Sequence, residues 1–308
     1  MSAELAPTDL YPSRVGEAPR WLDRRDPVVH GAAGDGPLSA DLLTSYQAQG
    51  FLTSPLMFSE AELAPVQAEL ERLGRDPAVA AMPETITEPD SRALRSIFAV
   101  HVHNPVLRAL CHHPRLVGVA RQLLGGEVYL HQSRINFKPG FAGRSFDWHS
   151  DFETWHVEDG MPRMRAVSCA ISLTENATYN GPLMVIPGSH RRFLACVGET
   201  PAEHFKQSLK RQAYGVPDRE SLAQLVREGG ITTLTGPAGT VTFFECNLMH
   251  GSNSNISPLP RHNVFMVFNS VENTLVDPYC GLAPRPPYIA ERARAEPIPY
   301  RPERGAGP

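Results

Sequence analysis

A chain of 308 residues with 42% apolar residues and a formal net charge of −4 has the material for one large globular core. The slight acidity and the lack of a basic run exclude the electrostatic footprint of a nucleic-acid-binding protein, and no run of about eighteen apolar residues offers a membrane span. The first fourteen residues carry no signal-peptide-like apolar stretch. The five scattered cysteines (Cys111, Cys169, Cys196, Cys246, Cys280) include no Cys-x-x-Cys pair, which points to a reducing cytoplasm and not to disulfides or zinc.

The first forty residues are loop-like. A helix is expected from Ser39, with Leu42, Leu43 and Tyr46 on one face and Gly50 as its stop. Residues 51–53 suit a short strand. Ser59 and Glu62 form a capping-box pattern ahead of Leu63, Val66, Leu70 and Leu73, which repeat with helical spacing up to Gly74. Residues 75–92 are polar and acidic, and suggest a surface loop. Asn104-Pro105 opens a third helix carrying Leu107, Leu110, Val117 and Leu124, with Pro114 as a break.

From residue 127 strands are expected. Residues 128–137 alternate, so Gln132, Arg134 and Asn136 share a face. Residues 163–174 follow, with Ala166, Ser168 and Ala170 together, then 183–186, 240–246 and 262–270. The last places Asn263, Phe265 and Val267 on one side, with Arg261 just before. Residues 197–229 form a helical insertion. The Pro- and Arg-rich tail, 281–308, is expected to be disordered or laid over the surface without its own core. Taken together, residues 1–308 read as one domain with a helical N-terminal part (1–126) and a β core (127–272). The fold class is mainly β with outer helices, an antiparallel double-stranded β-helix or cupin-like jelly roll.

The chemistry concentrates in Phe146-Asp-Trp-His-Ser-Asp-Phe-Glu-Thr-Trp-His156. His149 and Asp151 are one residue apart, and His250 follows in Met249-His250-Gly251-Ser252. Two imidazoles and one carboxylate are the donor set of a non-haem Fe(II) oxygenase, which keeps the opposite coordination face open. A lone His-x-Asp pair is weak evidence, since most such pairs sit in solvent-facing turns. Here the pair follows Gly140 and Gly143, where a strand could end at a barrel mouth, and the distal histidine follows the apolar run 241–244. Asp151 is expected to reach the ion from the next outward-facing position. Arg261 supplies the cation that a 2-oxoglutarate enzyme needs for the distal carboxylate of its co-substrate. His156 competes with His149 for the ligand role, and His190 fits a structural or hydrogen-bonding histidine. His101, His103, His112 and His113 read as surface residues. Trp155 sits in a polar run, where core packing explains it poorly.

With these residues in view, the chain resembles the ectoine hydroxylases, a branch of the phytanoyl-CoA dioxygenase-like group of Fe(II)/2-oxoglutarate enzymes. The resemblance runs from Asp9-Leu-Tyr-Pro-Ser-Arg14 to about residue 290. It is most specific from Trp148 through Ala166, supported by His131-Gln-Ser-Arg-Ile-Asn136, Asn180-Gly-Pro-Leu-Met-Val-Ile-Pro-Gly-Ser-His190 and His250-Gly-Ser-Asn253. It implies iron held by His149, Asp151 and His250, and 2-oxoglutarate held by Arg261 and Ser252 with Asn136 and Phe146. It implies ectoine surrounded by Gln132, Thr154, Trp155, Ser168, Phe244 and Phe265, with Arg285 on its carboxylate.

The implied reaction uses O2 to hydroxylate ring carbon 5 of ectoine while 2-oxoglutarate becomes succinate and CO2. The resemblance further implies a cytoplasmic homodimer serving osmotic protection, with no nucleic-acid or membrane partner. Glu245, Leu248 and Cys169 depart from the family pattern beside the site. The alternatives are a related hydroxylase of another small molecule, such as a free amino acid, and a non-catalytic cupin-like binding module. A coenzyme A thioester would need a basic cluster that the sequence lacks, and a halogenase would need the Asp151 position vacant.

Overall fold

The computed structural model describes residues 8–88, 91–210 and 214–302. Parts of the expected N-terminal region, surface loop, insertion and tail (1–7, 89–90, 211–213 and 303–308) lie outside the described residues. The first half runs β1 (Arg20–Asp23), α1 (Ala40–Gln49), β2 (Phe51–Ser54), α2 (Glu60–Arg75), α3 (Pro77–Ala80), β3 (Thr85–Thr87), β4 (Leu94–Phe98), α4 (Val100–His103), α5 (Pro105–Cys111) and α6 (Pro114–Leu124). The second half runs β5 (Val128–Lys138), β6 (Phe146–His149), α7 (Asp151–Asp159), β7 (Ala166–Ser172), β8 (Leu183–Val185), β9 (Arg192–Ala195), α8 (Phe205–Ser208), α9 (Arg219–Gly229), β10 (Thr232–Leu234), β11 (Val241–Glu245), β12 (His250–Ser252) and β13 (Arg261–Ser270).

The large sheet has the order β2-β11-β7-β13-β5-β4-β3, and the small one β10-β8-β12-β6. From β5 to β8, and again from β11 to β13, consecutive strands alternate between the two sheets. That alternation makes a double-stranded β-helix, with every pairing antiparallel. Its cause is the period-two pattern of the long strands. Val167, Cys169, Ile171, Val241, Phe243, Val264, Met266 and Phe268 face outward and pack with the apolar stripes of α2, α5 and α6. Each such fully buried side chain contributes about 1.5–3 kcal/mol. The intervening residues face the space between the sheets.

In β5 this alternation is reset. Val267 pairs with Gln132 and Phe268 with Leu130, so His131 is the extra residue of a bulge. Val128 and Leu130 point to the helix-side core before it, and Ile135 and Phe137 after it. Gln132, Arg134 and Asn136 therefore face inward, as the sequence pattern predicts.

Several expectations are corrected. Leu42 is exposed, and only Leu43 and Tyr46 of that face are buried in α1. The loop-like first forty residues contain β1, which pairs with β9. The 75–92 loop contains α3 and β3, and β3 pairs with β4 to extend the large sheet. In the insertion, α8 and α9 are helical and 197–204 is not. The tail through residue 302 lies over the molecule without regular structure, yet it is not merely superficial. Ile298 joins the main core, Ile289 and Ala290 are buried, and Glu291 N–H donates to the His131 carbonyl. No helix among the described residues is long and apolar enough to cross a membrane.

Candidate metal centre and substrate cavity

His149 ends β6 and His250 opens β12, and the two are direct partners across that antiparallel pair. Their rings lie 4.2 Å apart. Asp151 does not continue the strand outward as expected. It is the first residue of α7, where the positive end of the helix favours a carboxylate. Each imidazole Nδ1 lies on a carbonyl two residues back, His149 on Asp147 at 2.7 Å and His250 on Leu248 at 2.9 Å. A carbonyl only accepts, so each Nδ1 carries a proton, and in the neutral ring this tautomer leaves the lone pair on Nε2. Those lone pairs face the carboxylate, His149 Nε2 at 3.6 Å from Oδ1 and His250 Nε2 at 3.8 Å from Oδ2 of Asp151. The three ligand atoms lie within 4.8 Å of one another, and a divalent cation would take the place of the long N···O contacts. This donor set fits Fe(II), and the Nδ1 bonds are the outer contacts that hold ligating histidines in orientation.

The electrostatics agree. Burial pushes the Asp151 carboxyl up, but His250, His149 and Arg134 outweigh it and hold the group below the ordinary range. Burial, with repulsion from His149, lowers His250 to about 4. At neutral pH the site therefore offers a carboxylate and a neutral imidazole, as metal ligation requires. Ser168 Oγ donates to Asp151 Oδ2 at 3.2 Å.

Arg261 begins β13, opposite Lys138 at the end of β5. It is 2% exposed, its Nε has no hydrogen-bond partner, and burial lowers it to about 10. No ion pair to it exists among the described residues; with the Asn263 carboxamide turned so that its oxygen faces the guanidinium, that oxygen accepts from Nη1 at 3.0 Å. A buried cation without an anion is costly, and a carboxylate ligand would offset that cost. Lys138 Nζ, equally buried, donates to Ser252 Oγ at 2.7 Å and to the Asn253 carbonyl at 2.5 Å. Burial, with repulsion from Arg261 and Arg95, lowers it to about 6. Asn136 Oδ1 accepts from Ser96 at 2.8 Å, and the Arg95 guanidinium lies 3.9 Å over the Phe146 ring. Arg261, Ser252, Asn136 and Phe146 thus converge. Lys138 and Arg95, which sequence reasoning did not single out, complete this end of the cavity, Arg95 as a cation and Lys138 as a buried amine that an incoming anion would favour protonating.

Among the residues expected around the substrate, Gln132 Nε2 donates to the Ile289 carbonyl at 2.7 Å, so the tail closes over β5. Phe244 and Phe265 share an apolar cluster between the sheets, and Phe244 is edge-on to His250. Trp155 is part of a buried cluster with Tyr11 and Phe152, and the His131 ring packs edge-on against it at 5.3 Å. Its polar surroundings in sequence belong to a helix buried nearly all round, so packing does explain it. Thr154 is half-buried. Arg285 is committed to Asp159 through Nε at 2.7 Å and one terminal nitrogen at 2.6 Å. Arg134 is a further, half-buried cation on the inward face of β5; it lies 5.4 Å over Phe265 with its Nε unpartnered among the described residues.

The rival histidines are elsewhere engaged. His156 lies on Asp9 and the Met161 carbonyl, and His190 is buried against the Gln47 carbonyl. His101 is not a plain surface residue, since its ring lies on Ser133. The three departures have structural places. Glu245 pairs with Arg24 at 2.9 Å, Leu248 packs in the inter-sheet cluster, and Cys169 faces the helix-side core.

The family model for phytanoyl-CoA dioxygenase (PhyH) matches residues 46–263. The chain is 60% identical over 285 residues to a protein named ectoine dioxygenase from Bordetella parapertussis, covering 92% of each. It is 51% identical over 296 residues to one of the same name from Stutzerimonas stutzeri, covering 96% of this chain and 98% of that one. Among solved structures it is similar to EctD from S. alaskensis with 2-oxoglutarate and 5-hydroxyectoine, with a TM-score of 0.87 and 48% identity, covering 96% of this chain and 98% of the other. The iron-bound form of that protein matches with a TM-score of 0.85 and 47% identity, again covering 96% and 98%.

Proposed function

The chain belongs to the phytanoyl-CoA dioxygenase family, and from that membership and its metal face we propose that it hydroxylates ectoine at ring carbon 5. It is an Fe(II)/2-oxoglutarate-dependent dioxygenase: ectoine, 2-oxoglutarate and O2 become 5-hydroxyectoine, succinate and CO2. The observation that carries this reading is the triad, in which two imidazole lone pairs face one carboxylate with their tautomers fixed by backbone carbonyls. The agreement with proteins named ectoine dioxygenase, over more than nine-tenths of the chain, supports the substrate.

Fe(II) bound by His149, Asp151 and His250 supplies the oxygen activation. The chain's own residues bind, orient and exclude water. Arg261 and Ser252 take the distal carboxylate of 2-oxoglutarate, with Lys138 and Asn136 behind them and Phe146 as a wall. Trp155, Phe244 and Phe265 offer aromatic faces to the delocalised ectoine amidinium, an attraction that strengthens where water is excluded. Gln132, Thr154 and Ser168 add polar contacts. Arg285 offers its remaining amino group to the ectoine carboxylate, and Arg134 adds a second cation. Holding the ring carbon in one orientation is the main contribution of such a cavity to rate.

The enzyme works as one catalytic domain, because its N-terminal segment and tail both line the β core. The reading extends to a cytoplasmic homodimer that makes a protective solute under osmotic stress; five unpaired cysteines fit such a compartment. The test is turnover with Fe(II), 2-oxoglutarate, ascorbate, O2 and ectoine. Hydroxyectoine equal to succinate is the expected result. Succinate without hydroxyectoine would move the substrate elsewhere, and metal binding with neither product would leave a binding module.

A further inference from the structure

The segment Asp9-Leu-Tyr-Pro-Ser-Arg14 touches neither the metal face nor the 2-oxoglutarate pocket, yet its polar side chains converge on α7. Asp9 Oδ1 meets His156 Nε2 at 2.9 Å. The Tyr11 ring is edge-on to Phe152 at 5.3 Å. Ser13 Oγ donates to Glu153 Oε1 at 2.7 Å. Arg14 grips Glu153 with Nε at 3.0 Å and Nη2 at 2.7 Å, and reaches Glu158 with Nη1 at 2.7 Å. Its Nη2 also lies 3.4 Å from Thr154 Oγ1.

This fork is built in. Arg14 itself has φ of 59°, a left-handed conformation that arginine rarely adopts and that surrounding contacts must hold. Its N–H is fixed by the Cys196 carbonyl at 2.8 Å. At Gly215 a Cβ would stand 2.2 Å from Glu153 Oε2 and 2.4 Å from Arg14 Nη2, so backbone seals the pair from water.

Helix α7 needs such a grip. It has nine residues, its N-cap Ser150 makes no side-chain cap, and Glu153, Glu158 and Asp159 are all buried. Asp151 opens the helix, Trp155 lies one turn further on the same face, and Glu158 lies two turns on. The bond from Arg14 to Glu158 therefore sets the rotation of the face that carries Asp151, and the bond to Glu153 sets it from the other side.

We propose that Arg14 is a positioning residue for the hydroxylation, fixing α7 so that Asp151 meets the metal and Thr154 and Trp155 meet the substrate. The proposal rests on the oxygenase reading above. It predicts an asymmetric defect, because Arg261, Ser252 and Lys138 stand on β13, β12 and β5 and have no contact with Arg14.

The experiment compares wild type with Arg14→Lys, whose one nitrogen cannot reproduce the contacts that three guanidinium nitrogens make, and with Glu158→Gln, which keeps the Glu153 grip and its shape. Circular dichroism and Tm establish folding. Co(II) titration of the metal-free protein should show affinity weakened up to about 10-fold in Arg14→Lys, the low end of what losing a direct partner of a ligand costs, because Arg14 acts on Asp151 through α7. In turnover, kcat should fall about 10- to 100-fold, as for a misplaced reacting centre, with the 2-oxoglutarate KM within about 2-fold and succinate exceeding hydroxyectoine. Glu158→Gln should shift the same readouts in the same direction by less, and it carries the test if Arg14→Lys does not fold. A merely structural role would lower the active fraction while leaving metal affinity and the one-to-one product ratio unchanged, and that result in a folded variant would overturn the proposal. If wild type makes no hydroxyectoine, the substrate reading fails, while the Co(II) titration still decides the role of Arg14.

Discussion

Arg261→Met removes a buried positive charge that has no ion-pair partner among the described residues. In the resting protein Arg261 is buried without an ion-pair partner among the described residues, and it faces Lys138, which its field helps to lower to about 6. Methionine replaces the apolar stem of arginine and carries no charge. The metal-free variant should therefore keep its Tm or gain, against the usual loss when one partner of a buried ion pair is removed. Co-substrate binding should change in the opposite sense. Truncating one side of a buried, hydrogen-bonded charge pair costs about 2–5 kcal/mol, and each ~1.4 kcal/mol is tenfold. The 2-oxoglutarate KM, followed by succinate release, should rise roughly thirty- to a few-thousand-fold. Thermal unfolding gives an independent check. A ligand at 100 times its Kd stabilises the folded state by about 2.7 kcal/mol, and at that same concentration the variant should show almost none of the shift. An unchanged 2-oxoglutarate KM would assign the distal carboxylate to another cation. A marked loss of Tm in the metal-free variant would mean that Arg261 already has a partner that matters for folding.

Asp151→Ala should leave two imidazoles and no turnover, and should abolish the visible charge-transfer band of the Fe(II)–2-oxoglutarate protein; retained activity would sink the triad. Lys138, lowered to about 6, is mostly neutral at pH 8. A dianion beside it should raise its affinity for a proton, so 2-oxoglutarate binding should take up a fraction of a proton, read by calorimetry in buffers of different ionisation enthalpy; heats independent of buffer would refute this. Burial lowers His101, His250 and His262 to about 4 each. Below about 6.5 the unfolded chain binds these protons and the folded chain does not, so stability falls as pH drops from 6.5 towards 4. Tm of the metal-free protein should decline between pH 7 and 5, and a flat profile would show that these rings charge in place.

The long strands were legible because each buries one face against helices and turns the other to the cavity. Val167, Cys169 and Ile171 alternate with Ser168 and Ala170, and the pattern gives both the strand and the inward residues. Short strands such as β6 and β12 have too few residues for a period, although they carry both histidines. Helix α7 was hidden for the opposite reason. Buried on nearly every side, it shows no apolar stripe, and its buried acids resemble a solvated run. The bulge at His131 is likewise silent, since one extra residue leaves no mark in composition while it turns Gln132, Arg134 and Asn136 inward. The ligand triad could be read from residue type and spacing, because metal chemistry restricts both. The second tier could not, because its logic is pairwise: Lys138 matters through Ser252, and Arg14 through Glu153 and Glu158, partners more than a hundred residues away. A charge that looks solvated along the chain becomes part of the site only when folding buries it beside its opposite, or, at Arg261, beside none among the described residues.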